Sequence, residues 1–202
     1  TLEDGTVLGP NARLLKAKKT DSREIVPSPL YRKSEIVDQY QQLDVKFRGG
    51  FGIRFRVYNQ GAAYQFYTER KDSLCITDES AGFIFEQDHT CYIPYSLGAE
   101  NPFQNSFENI YSVIPISAFN PEKLAFLPLL VCLENGMKIA LTESDLESYP
   151  GMYLRGGKTA AGFEFKGVFA PIPSKTRTEP GRGQVLAAEY LDVLAKTAGT
   201  RS

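Results

Sequence analysis

Between Ile53 and Tyr67, apolar and polar side chains alternate on both sides of a short glycine-containing turn: Ile-Arg-Phe-Arg-Val-Tyr, then Asn-Gln-Gly, then Ala-Ala-Tyr-Gln-Phe-Tyr. Alternation at a period of two puts every second side chain on one face, so both arms are predicted as strands of a hairpin with one buried and one wet face. No catalytic motif of comparable strength accompanies it, so function has to be read from the kind of domain such a sheet belongs to.

The same pattern recurs along the chain. Asp38–Phe47 alternates and is separated from the hairpin by Gly49-Gly50, read as a turn. Ser73–Thr77, Gly82–Phe85, Tyr153–Leu154 and Phe163–Phe169 supply further short strands. Leu129–Glu134 and Met137–Leu141 flank Asn135-Gly136, a dipeptide that tolerates the positive φ of a type I′ turn. The nearly unbroken apolar first arm of that hairpin predicts a central strand covered on both faces. Arg13–Lys19 reads as loop or edge strand, and Pro27-Ser28-Pro29 as an extended break. Thr1–Leu8, with Asp4-Gly5 at its centre, predicts a hairpin whose first arm is mostly missing.

Near residue 173, Ala170-Pro171-Ile172-Pro173 ends the run of strands by removing backbone donors. Beyond it Leu186, Tyr190, Leu191 and Leu194 fall three and four apart with alanines between, and Gly199 supplies a stop, so Gln184–Lys196 is predicted as an amphipathic helix. The fold class expected is therefore all-β, an antiparallel β-sandwich over residues 1–173, followed by a linker and one C-terminal helix over 174–202.

Composition excludes several functions. Twenty-three basic residues stand against 24 acidic ones, without the basic stripe that a phosphate backbone attracts, so nucleic acid is not an expected partner. No apolar run approaches the roughly 20 residues that span a bilayer. The chain opens at Thr1 with no apolar leader, so any signal peptide is expected to have been removed or to lie outside it. Cys75, Cys91 and Cys132 are an odd set with no close pair, which argues against a metal knuckle and for buried thiols.

Candidate chemistry is sparse. Glycoside cleavage needs two carboxylates placed across a sugar, and spacing along a chain rich in acidic residues does not single out a pair, so no catalytic residue is assigned. His89 is the sole histidine and has no nucleophile-elbow pattern near it; in Asp88-His89-Thr90 it reads as a strand-end histidine tied to backbone, with a pocket role as the alternative. The acidic stretch Thr142–Tyr149 follows the Asn-Gly hairpin directly. It is either a solvated loop or a source of one or two of the six to eight oxygens a hard cation takes. Leu97–Phe107, crowded with Gly98, Asn101, Pro102, Asn105 and Ser106, reads as a surface loop placed to rim a site. Tyr92, Tyr95, Phe103, Phe107 and Tyr111 lie in or beside it and are candidates either for a sugar-stacking platform or for the core.

Taken together, Ile53–Tyr58 with Gly61–Tyr64, Asp88-His89-Thr90 ahead of Ile93-Pro94, and the Asn-Gly hairpin running into Thr142-Glu143-Ser144 resemble the N-terminal β-supersandwich domain of glycoside hydrolase family 97, over roughly residues 40–173. That family comprises α-glucosidases and α-galactosidases of Bacteroides and its relatives. The resemblance implies that a (β/α)8 barrel follows this domain, carries the general acid and the base or nucleophile, and acts on an oligosaccharide. The predicted C-terminal helix together with residues 199–202 resembles the junction before that barrel. It further implies a calcium ion at the active site to which the sandwich contributes one glutamate, the matching position being Glu143. Secretion to the periplasm or outer membrane is implied as well. Rivals from other classes are a stand-alone carbohydrate-binding module or adhesin, and a structural docking sandwich whose terminal helix is the docking face.

Overall fold

The computed structural model describes residues 1–30, 32–97, 101–147, 149–181 and 183–197. It divides into two compact units, one holding Leu2–Leu74 and the other Cys75–Lys196 together with Thr1.

The first unit is a four-stranded antiparallel sheet in chain order: β1 (Leu14–Pro27), β2 (Glu35–Phe47), β3 (Phe51–Tyr58) and β4 (Gly61–Thr68). The segment read as loop or edge strand is an edge strand, and Pro27 is its last residue. Gly49 and Gly50 make the β2–β3 turn at φ of 102° and 74°, a region open to glycine without steric cost. Register sets Asp44 opposite Arg54 and Arg54 opposite Gln65, so these side chains share one face. Arg54 Nε donates to Asp44 at 2.8 Å and Nη1 to Gln65 at 3.2 Å, while Arg56 Nε donates to Gln42 at 2.9 Å and its guanidinium lies 4.2 Å from the Tyr40 ring centroid. Burial alone would raise the Asp44 carboxyl, but its hydrogen bonds from Arg54 and Gln42 prevail and hold it below the usual carboxylate value.

The opposite face inverts the expectation of a buried apolar side. Phe51 is buried beside Phe47, yet farther along the same face Leu43, Phe55, Val57, Tyr64 and Phe66 are exposed. Alternation fixes which side chains share a face; burial also needs groups packed over that face, and along it Phe51 is buried while the side chains farther on are not.

The second unit carries, but for Leu74 and Thr197 at its margins, β5 (Leu74–Ile76), β6 (Gly82–Phe85), β7 (Thr90–Ile93), β8 (Ser112–Pro115), β9 (Leu129–Cys132), β10 (Lys138–Leu141), β11 (Met152–Thr159), β12 (Gly162–Phe169), β13 (Pro173–Thr178), β14 (Val185–Tyr190) and β15 (Ala195–Thr197). Sheets ordered β10-β9-β7-β8 and β11-β12-β6 sandwich a dry core of Cys91, Ile93, Leu129, Val131, Leu154 and Phe165, each fully buried. Ala125 bridges the layers, exchanging hydrogen bonds of 2.8 and 2.9 Å with Leu154 while pairing with Tyr95. As expected of its apolar sequence, β9 is central, although only Leu129 and Val131 are fully enclosed.

Several expectations need correction. The Asn-Gly hairpin is not a type I′ turn. Leu133 N–H bonds to Met137 O at 2.8 Å and Gly136 N–H to Leu133 O at 3.1 Å, which makes a three-residue loop in which Gly136 takes positive φ and Asn135 does not. Strand β11 runs well past Leu154, because Gly156 leaves room for Phe119 and Phe165; a Cβ there would lie 2.7 Å from the Phe119 ring. Most consequentially, Gln184–Lys196 is not a helix. Val185–Tyr190 is strand β14, paired antiparallel with β13. The turn between them closes with Glu179 N–H on Gln184 O at 2.8 Å and uses positive φ at Gly181 and Gly183. Pro180-Gly181 and Gly183 are the turn signal that outweighs a three-and-four spacing too short to specify a helix. The helix stop at Gly199 and the junction at 199–202 lie outside the described residues.

The three cysteines form no disulfide; Cys91 is buried, and burial together with Cys132 pushes its thiol up to about 12. No helix among the described residues is long and apolar enough to cross a membrane.

Candidate functional site

In the second unit, one end of the sandwich opens into a groove of about 1010 Å³. Three irregular or paired segments wall it: the stretch around Phe103–Ser106, the stretch Tyr149–Gly151 entering β11, and the β13–β14 hairpin. Phe103 stands edge-on to Tyr153, with ring centroids 5.2 Å apart, and faces Tyr190 at 6.4 Å. Asn101 ties the loop to the hairpin, its Nδ2 donating to Tyr190 Oη at 3.0 Å, and Gln104 Nε2 donates to the Ala187 carbonyl. Asn101 also caps the short 3-10 turn Pro102–Gln104 through the Phe103 amide. The loop read as rimming a site therefore does line the groove, through Phe103–Ser106; Gly98 lies outside the described residues.

Glu143 sits just beyond the end of β10, half-buried at the back of the groove's Gly151 wall. Both its oxygens accept from the Met152 amide, at 2.9 and 3.0 Å, and a Cβ on Gly151 would approach Oε1 to 3.3 Å. Burial pushes its carboxyl above the usual value and the nearby Glu79 adds to this, while the Met152 amide opposes them. No lysine or arginine pairs with it among the described residues. The Tyr149 hydroxyl donates to Glu79 Oε2. Burial raises Tyr153, with Tyr190 and Glu143 contributing.

The fit to a hard cation is partial. A half-buried carboxylate with spare lone pairs on both oxygens is a suitable donor for calcium, which prefers oxygen. Among the described residues, no group of three or more His, Cys, Asp or Glu side chains could hold a metal by itself. A hard cation at Glu143 would therefore find one carboxylate there, and no other His, Cys, Asp or Glu cluster among the described residues completes a shell around it.

The remaining sequence candidates disperse. His89 lies just ahead of β7, its main-chain amide bonded to Gln87 O at 3.1 Å and its ring edge-on to Phe85, away from the residues that line the groove. Of the aromatic candidates, Tyr95 is in the core with its hydroxyl accepting from the Asn120 amide, Phe107 packs on Tyr111, and Tyr92 projects from β7; only Phe103 lines the groove. They form no single stacking platform, which disfavours a stand-alone sugar-binding module. Sequence reasoning missed Glu79, Asn101, Gln104 and Tyr190 as groove or loop partners. All make contacts between residues about 70 or more positions apart, which no local pattern announces.

These observations define an antiparallel β-sandwich domain with an aromatic-lined groove. The chain belongs to the glycosyl-hydrolase 97 N-terminal family, whose model matches residues 1–197. It is 36% identical over 209 residues to a retaining alpha-galactosidase of Bacteroides thetaiotaomicron, an alignment that spans 100% of this chain and 31% of that protein. A glycoside hydrolase family 97 enzyme of Pseudoalteromonas sp. strain K8, solved in complex with acarbose, matches at TM-score 0.69 and 21% identity over 94% of this chain and 26% of its own. A beta-arabinopyranosidase matches at TM-score 0.72 and 19% identity, over 95% of this chain and 30% of its own. At these identities the two structures establish the fold alone. The chain thus spans about a third or less of the length of the relatives it matches.

Proposed function

We propose that residues 1–202 are the non-catalytic N-terminal domain of a calcium-dependent α-glycosidase that hydrolyses O-glycosyl bonds in α-glucosides or α-galactosides. In this reading the groove end of the sandwich forms part of the active-site wall, and Glu143 contributes a carboxylate to the calcium. A (β/α)8 barrel elsewhere in the full-length protein performs the bond cleavage on an oligosaccharide.

The observation that carries the proposal is Glu143 itself: half-buried behind Gly151 of the groove wall, oriented by one amide through both oxygens, and left without a cationic side chain among the described residues. Removing a carboxylate from water without a partner is unfavourable, and a bound cation would offset that cost. When bound, calcium would supply positive charge and a fixed point for substrate oxygens. This chain's residues do the holding: the Met152 amide orients Glu143, and Phe103, Tyr153 and Tyr190 give the wall its shape. Similarity to a protein named as a retaining alpha-galactosidase over the whole of this chain supports the substrate class. Export to the periplasm or outer membrane belongs to the same proposal and rests on family membership.

The test is calcium binding to the full-length protein by calorimetry, with activity on aryl α-glucosides and α-galactosides. Glu143→Gln should weaken calcium binding by about tenfold or more, as expected when a charged oxygen ligand is lost. Residues 1–202 alone should turn over neither substrate. Turnover by that fragment, or unchanged calcium affinity in the variant, refutes the assignment.

A further inference from the structure

Residues 142–147 and 149–151, the described part of the segment that presents Glu143, lie in no strand or helix, and none of their backbone groups makes a backbone hydrogen bond outside the regular elements. Asp145 within it takes a positive φ of 63°, a conformation that aspartate tolerates better than most residues. Such a segment keeps one shape only if side chains hold it. Two do. At its base the Glu143 carboxylate grips the Met152 amide, and near its far end Tyr149 reaches out to Glu79, in the segment between β5 and β6.

We propose that Tyr149 and Glu79 form a latch that positions Glu143, with Glu79 acting through Tyr149 and not as a ligand of the cation. The proposal rests on the reading of Glu143 given above and extends it to the residues that hold that carboxylate in place. Tyr149 suits the task, since its ring packs edge-on to Phe169 at the end of β12, at 5.9 Å, while its hydroxyl donates to the carboxylate. The ring fixes the base of the side chain in apolar surroundings, and the charged acceptor makes the hydrogen bond one of the stronger kind.

The Glu79 charge also opposes ionisation of Glu143, since like charges repel. Donation from Tyr149 gives the Glu79 carboxylate its own partner and aims it at the hydroxyl. Glu143 meanwhile spends one lone pair of each oxygen on Met152 and keeps the others open. A cation then meets one oriented carboxylate instead of two mobile ones. The latch joins the segments that lead into β6 and β11, the two strands on either side of β12 in one sheet, so the loop inherits its position from that sheet.

The experiment uses the full-length protein with three variants: Tyr149→Phe, Glu79→Gln and Glu143→Gln. Phenylalanine keeps the ring and removes only the hydroxyl; glutamine at 79 keeps an oxygen that can accept from it. Hydrogen exchange is followed by mass spectrometry on peptides covering 142–152 without added calcium, and calcium affinity by calorimetry. Tyr149→Phe should speed exchange across 142–152 by about tenfold and weaken calcium binding, the size expected for one hydrogen bond to a charged group. Glu79→Gln should stay within about threefold of the parent in both, a neutral acceptor replacing a charged one. Unchanged exchange in Tyr149→Phe overturns the latch. So does a loss of calcium affinity in Glu79→Gln as large as in Glu143→Gln with Tyr149→Phe unaffected, since Glu79 would then be a ligand. If Glu143→Gln binds calcium normally while Tyr149→Phe still loosens 142–152, the metal assignment fails and the latch stands as a loop clamp.

Discussion

The two units of this chain solve the same problem by different means. In Cys75–Lys196, two sheets face each other and seven strands enclose a core in which Ile93, Leu129, Val131, Leu154 and Phe165 are removed from water altogether. In Leu2–Leu74, a single four-stranded sheet is laced on one face by Asp44, Arg54, Gln42, Arg56 and Tyr40, while Leu43, Phe55 and Val57 on the other stay exposed. Apolar burial is worth about 25 cal/mol per Å², whereas exposed or half-exposed ion pairs contribute up to about 1 kcal/mol each. The sandwich should therefore be much the more stable of the two, and it is the unit that carries the groove and Glu143. A site that must hold a carboxylate in one orientation is better served by a packed layer than by a laced sheet.

The comparison can be broken most sharply in the core. Phe165→Ala removes a fully buried ring that contacts Phe85 and Phe119, and should cost about 3–5 kcal/mol. Hydrogen exchange should show β11 and β12 losing protection while β2 and β3 keep theirs; equal loss in both units would mean that the two are one cooperative structure. A smaller effect is expected at Arg54. Replacing it with methionine should destabilise the four-stranded sheet by about 1 kcal/mol, the ion pair being roughly one-third exposed.

The same substitution should remove an acid limb. Asp44 titrates lower folded than unfolded, so its contribution is present above the ordinary value of 3.8 and is lost as the pH falls through the lower folded value. Protection of β2–β3 against exchange, compared between pH 6 and pH 3, should fall in the parent and be flatter in Arg54→Met. A fall of the same size in both would show that Asp44 and Arg54 do not act as a pair. The smallest effect belongs to the exposed face, where Phe55→Ser should change stability by no more than about 0.5 kcal/mol. A loss of several kcal/mol would mean that this face is covered in solution.

Much of the strand pattern was legible beforehand. The Ile53–Tyr67 hairpin, the Asn-Gly hairpin and the Gly49-Gly50 turn are all present, because alternation and turn chemistry act over a few residues and need no distant partner. Gln184–Lys196 failed for the same reason inverted. Leu186, Tyr190 and Leu194 satisfy helical spacing, but β13 lies one short turn upstream and offers a ladder of hydrogen bonds. At Gly156 the error ran the other way: a strand was expected only over Tyr153–Leu154, yet β11 continues through Gly156, where Phe119 and Phe165 occupy the space a Cβ would take. In the site, the rim around Phe103 and the position of Glu143 at a strand end could be anticipated. The pairing of Tyr149 with Glu79 and of Asn101 with Tyr190 could not.

Local order, then, came from the amino-acid sequence: which residues alternate, where glycine permits a turn, and that the chain is all-β. Tertiary structure alone decided which alternating faces are covered, that the chain's last long amphipathic segment is a strand, and that the Glu143 carboxylate is held by the Met152 amide beside Gly151. The reason is physical. Turn and strand preferences arise from clashes and hydrogen bonds between near neighbours, while burial and charge environment depend on what another part of the chain brings within a few ångströms.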